Sequence, residues 1–528
     1  MNQKSENHWD AIVIGSGMGG MAVASILTRL QKKRVLVLER HWAPGGQTHE
    51  FSRKGKYSWD VGVHYVGSMG PGEESRRVMD YITGGAVSWN PLPEHFEHFS
   101  FPGCDFELPR TEAAMIAALS KRFPAEASGI RGFFKDMKRA NDWTVLEVTR
   151  QVVPAPVAAV LGLVSKLHRR MAISPTSLAL GRRIRDPLLK AILTATWGDY
   201  GLPPGRSAFS LHSLVVRSYL EGGWYPEGGA SSIAKAVSAV LAGTGGRIEV
   251  SAEALEIIVE KGAAVGVRAR LGKGGGGREE TFFAPMVFSA AGAGVTYQKL
   301  LRPHVPEAWV DMLERFPKGM SAVTLFLGLK GDPRGLGFKG ENRWIYDSLD
   351  HDVTAADGKA LLEGRPGSCF LSFPSLKQKN PTHHTAELIS HASVDDFARW
   401  AGSAWMKRGD EYLRAKERIA DGLLDFVEKR HPGLKDLVEY RELSTPLSYE
   451  SFLGRPRGEF YGIAGVTQRY LLPWLRMRTP VAGCYLAGSD VMSLGVMGAL
   501  MGGVAAVAVS LGASGWPKVM KAIREEGA

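Results

Sequence analysis

Only three cysteines stand in 528 residues, at Cys104, Cys369 and Cys484. Far apart and odd in number, they exclude a disulfide framework and a cysteine-ligated metal site, and they point to a reducing compartment. Lysine and arginine are plentiful at 65, but they gather into no dense tract and no nucleic-acid-binding motif, so nucleic acid is not an expected partner. No internal repeat appears. Residues 1–9 are polar and lead straight into an apolar run with no secretory segment before it, which reads as a cytoplasmic protein.

What is present is the composition of a globular protein, 44% apolar and 23% charged, long enough for two or more domains. The net charge of +11 suits anionic surfaces such as phospholipid headgroups. Near the start, Ala11 to Ile14 is a short apolar run of the kind a buried parallel strand needs. Gly15, Gly17 and Gly20 follow in the spacing G-x-G-x-x-G, with Met18 and Gly19 inside it. Gly15 makes the turn out of the strand, Gly17 lets backbone approach a pyrophosphate, and Gly20 lets the next helix pack tightly on the sheet. The anion then meets free N–H groups at a helix N-terminus. A second apolar run, Val35 to Leu38, ends in Glu39, an acid placed to bond the ribose of an unphosphorylated adenosine.

Beyond Glu39 come Arg40 and Pro44-Gly45-Gly46-Gln47. This second glycine pair suits a cofactor longer than a nicotinamide dinucleotide. Tyr57 to Gly67 alternates as a strand at a pocket edge, with Asp60 and Gly62 at turn or close-approach positions and His64 and Tyr65 as polar groups in an apolar run. Residues 106–225 read as mainly helical and basic. Within them Val152 to Ser165 is uncharged and is followed by Lys166, Arg169 and Arg170. The run is too short to span a bilayer, and its two prolines are expected to break its first turn. It reads as a segment lying on an anionic membrane, with burial in a substrate domain as the alternative. Arg247 to Val250 reads as a strand, the following residues as a hairpin, Gly272 to Gly277 as a loop, and Met286 to Gly292 as a strand entering a glycine turn. Residues 320–475 mix strands and helices, and Gly454 to Gly465 reads as a loop over a pocket; Tyr449, Arg455 and Tyr461 are candidates to face substrate, with surface or supporting roles as the equal alternative.

The chain ends in a strand, Cys484 to Leu486, with Gly488 and Asp490 after it, and then an uncharged stretch, Val491 to Pro517. Its length matches a membrane span. The preceding strand and the glycines at 495, 498, 502 and 503 favour instead a helix packed on the first one, its N-terminus beside a bound ring.

Taken together, Gly15-x-Gly-Met-Gly-Gly20, Gly45-Gly46, Trp59-Asp-Val-Gly-Val-His-Tyr-Val-Gly67, Gly228-Gly229, Thr445-Pro-Leu-Ser-Tyr-Glu-x-x-Leu-Gly454 with Tyr461-Gly462, Leu486-Ala-Gly-x-Asp-Val491 and Gly495-Val-Met-Gly-Ala-Leu-Met-Gly-Gly503 resemble the phytoene desaturase, carotenoid isomerase and retinol saturase family of flavoproteins. The resemblance spans nearly the whole chain and leans to the retinol saturase side at Asp60 to Gly67. It implies an α/β fold, with a Rossmann-type FAD-binding domain of the glutathione-reductase-like and amine-oxidase-like kind and a discontinuous α+β substrate domain. FAD binding then falls to residues 1–105, 226–300 and 476–528, and the substrate to a helical, membrane-facing part at 106–225 and a sheet part at 301–475. FAD is expected to be non-covalent, and the substrate a long apolar lipid taken from a membrane surface.

By motif, the resemblance assigns the pyrophosphate to Gly15, Gly17, Met18, Gly19 and Gly20, and the ribose to Glu39 beside Arg40. It assigns the pyrophosphate–ribityl region to Gly45, Gly46, Gln47, Gly488 and Asp490, and the adenine to the backbone of Val250. Ala290 lies along the same path, and the ring carbonyl edge falls to Val496, Met497 and Gly498. No metal is expected. The implied chemistry is a two-electron change at a C=C or CH–CH bond of a carotenoid, retinoid or unsaturated fatty acyl chain, by saturation, desaturation or flavin-assisted isomerisation. An electron donor or acceptor of unknown identity completes it. If a bond is saturated, the candidate proton donors are His64, Tyr65, Asp199, Tyr200 and His212. A flavin amine or amino-acid oxidase and a non-catalytic flavin-binding lipid carrier share the glycine motif and stand as alternatives.

Overall fold

The computed structural model describes residues 7–272, 277–454 and 458–527. Its first sheet is parallel throughout and is drawn from both ends and the middle of the chain. It comprises β1 (Ala11–Ile14), β2 (Val35–Leu38), β3 (Arg247–Glu249), β4 (Val287–Ser289) and β5 (Cys484–Leu486), in spatial order β3-β2-β1-β4-β5. β1 and β2 are buried at every position, which is why their sequences run apolar without alternation. The chain leaves β1 toward β2 on one side, while β4 lies on the other. A crevice therefore opens at the carboxyl ends of these strands, where such sheets take ligands.

Helix α1 (Met18–Gln31) follows β1 and is buried from Met18 to Thr28. The uncharged C-terminal stretch forms α2 (Gly495–Ser510), buried from Gly502 to Val509. Its glycines are there for contact: a Cβ at Gly503 would lie 2.4 Å from the Gly19 carbonyl and 2.7 Å from Ala22 Cβ, and one at Gly19 would lie 2.5 Å from Gly488 Cα. Backbones this close shut out water without any side chain of size. Among the described residues no helix is long and apolar enough to cross a membrane.

A seven-stranded sheet forms the second body, in the order Val438–Ser444, Ser321–Leu329, His384–Ala392, Ser368–Ser372, Asn342–Tyr346, Glu97–Phe101, Cys104–Leu108. Only the Asn342–Tyr346 and Glu97–Phe101 pair is parallel. Glu97–Phe101, inside the expected first cofactor-binding stretch 1–105, is the next-to-last strand of this sheet, and Cys104–Leu108, across the expected boundary at 105, is its edge strand. The stretch Tyr57 to Gly67 is two short strands, Tyr57–Asp60 and Val66–Gly67, rather than one. Asp60 explains the break. Its buried carboxylate accepts from Tyr225 Oη and from the Ala230 amide, and this ties the chain inward where a continuous strand would run on.

An antiparallel meander, Ala252–Glu260, Ala263–Leu271 and Arg278–Phe283, extends from the first body, with residues 273–276 of its expected loop outside the described residues. The helical part includes Ala127–Val152 and Ala155–Ala172. The prolines at 154 and 156 begin the second of these helices rather than breaking it. Pro154 is its N-cap and Pro156 sits in the first turn, where no intrahelical N–H is lost. The helix is also not buried: only Ser165 and Ala172 are, while Val157, Val160, Leu163, Val164 and Leu167 face out.

Candidate functional site

A cavity of about 600 Å³ lies along the carboxyl ends of β1 and β2. Two helix N-termini open on it. At α1 the N-cap Gly17 contributes no side-chain bond and no acid stands in the first turn, so its leading N–H groups remain free for an anion. At α2 the N-cap Leu494 likewise offers no side-chain bond, and Gly495, Val496 and Ala499 line the cavity. The backbone at Gly17 has φ −62°, and a Cβ there would meet nothing within 4 Å. That open space is what a pyrophosphate needs. Gly46 closes the opposite wall. Its φ is +57°, and a Cβ on it would come within 2.9 Å of Gly17 Cα.

Glu39 is buried at the end of β2 and ties the two glycine segments together. It accepts from the Ser16 amide at 2.8 Å, from Ser16 Oγ at 2.6 Å and from the His41 amide at 2.7 Å, while Ser16 Oγ accepts from the Gly45 amide at 2.9 Å. A carboxylate has about four lone-pair sites, so capacity remains for a ribose hydroxyl. A buried carboxylate with spare acceptor sites beside free helix N–H groups is a donor and acceptor set that fits a dinucleotide.

Gly15, Gly17, Met18, Gly19, Glu39, Arg40, Gly45, Gly46, Gln47, Ala290, Gly488 and Val496 line this cavity. The remaining expected residues do not. Gly20 packs the helix onto the turn, where a Cβ would lie 1.9 Å from the Gly15 carbonyl. Val250 is 36% exposed, because Ser251 at φ +52° turns the chain so that Ala252 to Ala254 pass the cavity instead. Asp490 is held by backbone, each oxygen accepting one bond, from the Ala293 amide at 2.7 Å and the Ile463 amide at 3.0 Å, and it borders a neighbouring cavity of about 250 Å³. Met497 and Gly498 lie in the first turn of α2 but outside the lining, and a Cβ at Gly498 would strike the Ser493 carbonyl at 2.0 Å. Sequence reading missed His41, His49, Gln298 and the Lys299–Glu253 ion pair at 2.8 Å, all on the cavity wall. Burial and the neighbouring His49 hold the His41 imidazole down to about 4, so it is neutral.

A second, inner cavity of about 60 Å³ adjoins the first, and Gln47, Gly62, Phe460 and Tyr461 belong to both walls. Trp344, Phe370, Ile389 and Tyr449 give it an apolar and aromatic face; His64, Asp199 and His391 are its titratable residues besides the two tyrosines. Arg455 lies outside the described residues. His64 Nδ1 lies 2.7 Å from Glu387 Oε2. Tyr65 stands behind Asp199, its hydroxyl donating to Asp199 Oδ2 at 2.6 Å. Tyr200 and His212 are elsewhere. They bond each other at 3.0 Å within the helical core, where His212 stacks on Phe209, and neither is part of the wall of either cavity. Of the expected proton donors, the structure therefore brings His64, Tyr65 and Asp199 together and sets Tyr200 and His212 apart.

One buried cation was not anticipated. Lys377 Nζ donates to the His64 carbonyl at 2.6 Å and to Asn342 Oδ1 and Ser372 Oγ, each at 2.7 Å. It fixes the His64–Tyr65 segment against the second sheet. No local pattern around Lys377 announces this, because its partners are brought by the fold.

Residues 13–82 match the family described as "NAD(P)-binding Rossmann-like domain". The chain is 31% identical over 527 residues to all-trans-retinol 13,14-reductase of Danio rerio, covering 95% of this chain and 86% of that protein. It is 28% identical to the chloroplastic prolycopene isomerase of Arabidopsis thaliana, covering 92% and 79%. Among solved structures it is similar to cyclohexylamine oxidase of Brevibacterium oxydans, with TM-score 0.57 and 16% identity over 98% of this chain and 99% of that one. At that identity the likeness concerns the fold.

Proposed function

That the chain belongs to the family that includes all-trans-retinol 13,14-reductase and prolycopene isomerase is the premise from which we propose its function: an FAD-dependent oxidoreductase that saturates a C=C bond of a long apolar lipid, such as a carotenoid, a retinoid or an unsaturated fatty acyl chain. The observation that carries the reading is the junction of the two cavities. A glycine-walled dinucleotide cradle, on which the N-terminus of α2 opens, adjoins an aromatic chamber through Gln47, Gly62, Phe460 and Tyr461. When bound, FAD supplies hydride exchange at its ring. The chain supplies the rest: Trp344, Phe370 and Ile389 exclude water and hold apolar carbon, while Gln47 and Gly62 form the passage between cradle and chamber. The direction follows the reductase named among the relatives. Incubating the protein, loaded with chemically reduced FAD, with a lipid extract and following products by mass tests it. A gain of one hydrogen pair is expected. Loss of a pair, or isomerisation at unchanged mass, would reverse the direction assigned here, and oxygen consumption with amines but no lipid product would overturn the lipid reading.

The substrate arrives, in this reading, from a membrane surface. The helix Ala155–Ala172 leaves Val160, Leu163 and Leu167 62%, 65% and 77% exposed, and Lys166, Arg169 and Arg170 stand beside them. Apolar side chains flanked by bases suit an anionic interface. The protein should float with vesicles containing anionic lipid and release at high salt. Replacing Val160, Leu163 and Leu167 together by glutamate should weaken that binding by at least about tenfold with the fold unchanged, since each buried apolar side chain is worth roughly 1.5–3 kcal/mol. Equal flotation of the triple variant would exclude this face.

A further inference from the structure

We propose that Asp199 donates the proton to the substrate carbon in the inner cavity, and that Glu97, acting through Tyr65, is the positioning residue that keeps and restores that proton. The inference rests on the saturating reading above.

Glu97, on the strand Glu97–Phe101 between Asn342–Tyr346 and Cys104–Leu108, is 1% exposed. Its Oε2 accepts from Trp344 Nε1 at 2.7 Å, while its Oε1 is buried with no donor. Its neighbour is the Tyr65 hydroxyl, whose own proton points at Asp199. A carboxylate oxygen left in apolar surroundings without a donor is expensive. A proton on this carboxyl removes that cost and can be offered to the Tyr65 hydroxyl beside it. With that proton in place the proposed relay runs from Glu97 through Tyr65 to Asp199, whose hydrogen bond from Tyr65 is seen and which opens on the inner cavity.

The groups around this chain do not neutralise it. Tyr219 stacks on Tyr65 with centroids 4.5 Å apart, and Tyr461 and Tyr346 face Asp199, all uncharged phenols. Across the cavity His391 is held neutral by burial, down to about 4, and His64 is turned to Glu387. Lys377 acts on Glu97 through space, but it donates to His64, Asn342 and Ser372. Two carboxyls buried together beside one phenol cannot both ionise cheaply. Burial pushes Glu97 up to about 8 and Asp199 up to about 7, with each other's charge adding to the rise on Glu97. At neutral pH the pair therefore retains a proton.

The step balances as follows. One alkene carbon gains a hydride drawn from reduced flavin. The other forms its C–H bond with the Asp199 proton as the Asp199 O–H bond breaks. Asp199 takes the Tyr65 proton, Tyr65 takes the Glu97 proton, and one proton from bulk water resets the pair.

Infrared titration with the carboxyl carbons of aspartate and glutamate isotopically labelled, taken as the difference between wild type and Glu97→Gln so that the buried Asp60 cancels, reads the proton without turnover. A carbonyl stretch of a protonated carboxyl is expected at pH 7, disappearing as the pH rises. Glu97→Gln should move the titration of the remaining Asp199 proton down by about one unit or more, and Tyr65→Phe should uncouple the two carboxyls into independent steps. In the lipid assay Asp199→Asn should lower kcat by about 100-fold or more with little change in KM, and Glu97→Gln should lower the pH at which kcat falls. Absence of a protonated carboxyl at pH 7, or a titration that Glu97→Gln leaves in place, overturns the relay even if the lipid reaction is found. A relay seen by infrared with no lipid product overturns the function reading instead.

Discussion

Gly17→Val is expected to give a folded protein that holds no dinucleotide. The backbone at Gly17 sits at φ −62° and ψ 175°, ordinary extended geometry that valine adopts freely. A Cβ there meets no atom within 4 Å, so the side chain displaces nothing of the protein and enters the cavity at the head of α1. That is where the free N–H groups of the first turn await an anion. Blocking two such charge-assisted bonds, at about 1.5–3 kcal/mol each, predicts a loss of at least about 100-fold in affinity. The neighbouring glycine provides the control. Gly20→Ala would press a methyl to 1.9 Å from the Gly15 carbonyl, and it should disturb the fold itself. Circular dichroism and the absorbance of cofactor released on denaturation separate the two outcomes. A Gly17→Val protein with wild-type cofactor content would move the dinucleotide away from α1.

The cradle could be read from the sequence because everything it needs is local. The strand, the glycine spacing and Glu39 all fall inside one βαβ unit, and the periodicity of each piece is set by its neighbours in the chain. The C-terminal glycines were legible for a related reason: so many in an uncharged helix make sense only where another backbone lies against them, as Gly19 does against Gly503. Side-chain direction was harder. His64, Asp199, Tyr200 and His212 are all polar groups in apolar surroundings, and nothing in the pattern says that two border the inner cavity while the other two bond each other in the helical core. Past Val250 a single left-handed serine re-aims the chain, so that the cavity lining falls two residues later, a change that no periodicity shows. Asp490 also accepts from the backbone amides of Ala293 and Ile463, partners that no local pattern announces. Glu97 and Lys377 had no signal at all. A lone glutamate at a strand start and a lone lysine after a strand are commonplace on a protein surface, and only the crossing of residues 97–108 into the second sheet buries the first of them.

Lys377→Met should destabilise the protein by about 3–5 kcal/mol, the usual result of breaking one side of a buried charge network. The ammonium is 6% exposed and donates three hydrogen bonds. Methionine matches its length and fills the space, so the loss is electrostatic rather than a cavity. What remains is the His64 carbonyl, Asn342 Oδ1 and Ser372 Oγ without this donor, and Glu387 and Asp60, both fully buried, without a nearby positive charge. The pH dependence distinguishes this from simple misfit. Burial lowers the Lys377 ammonium from its ordinary 10.5 to about 8, against the pull of Glu387, Asp60 and Glu97. Between these two values the unfolded chain binds more protons at this position than the folded one, so the lysine contributes stability that rises with pH across that window. The variant lacks that contribution, and the gap between wild type and Lys377→Met should therefore widen from pH 8 upward. Urea unfolding at several pH values measures it. A variant within about 1 kcal/mol of wild type at neutral pH, or a gap that stays level as the pH rises, would show that the His64–Tyr65 segment is held in place by packing alone.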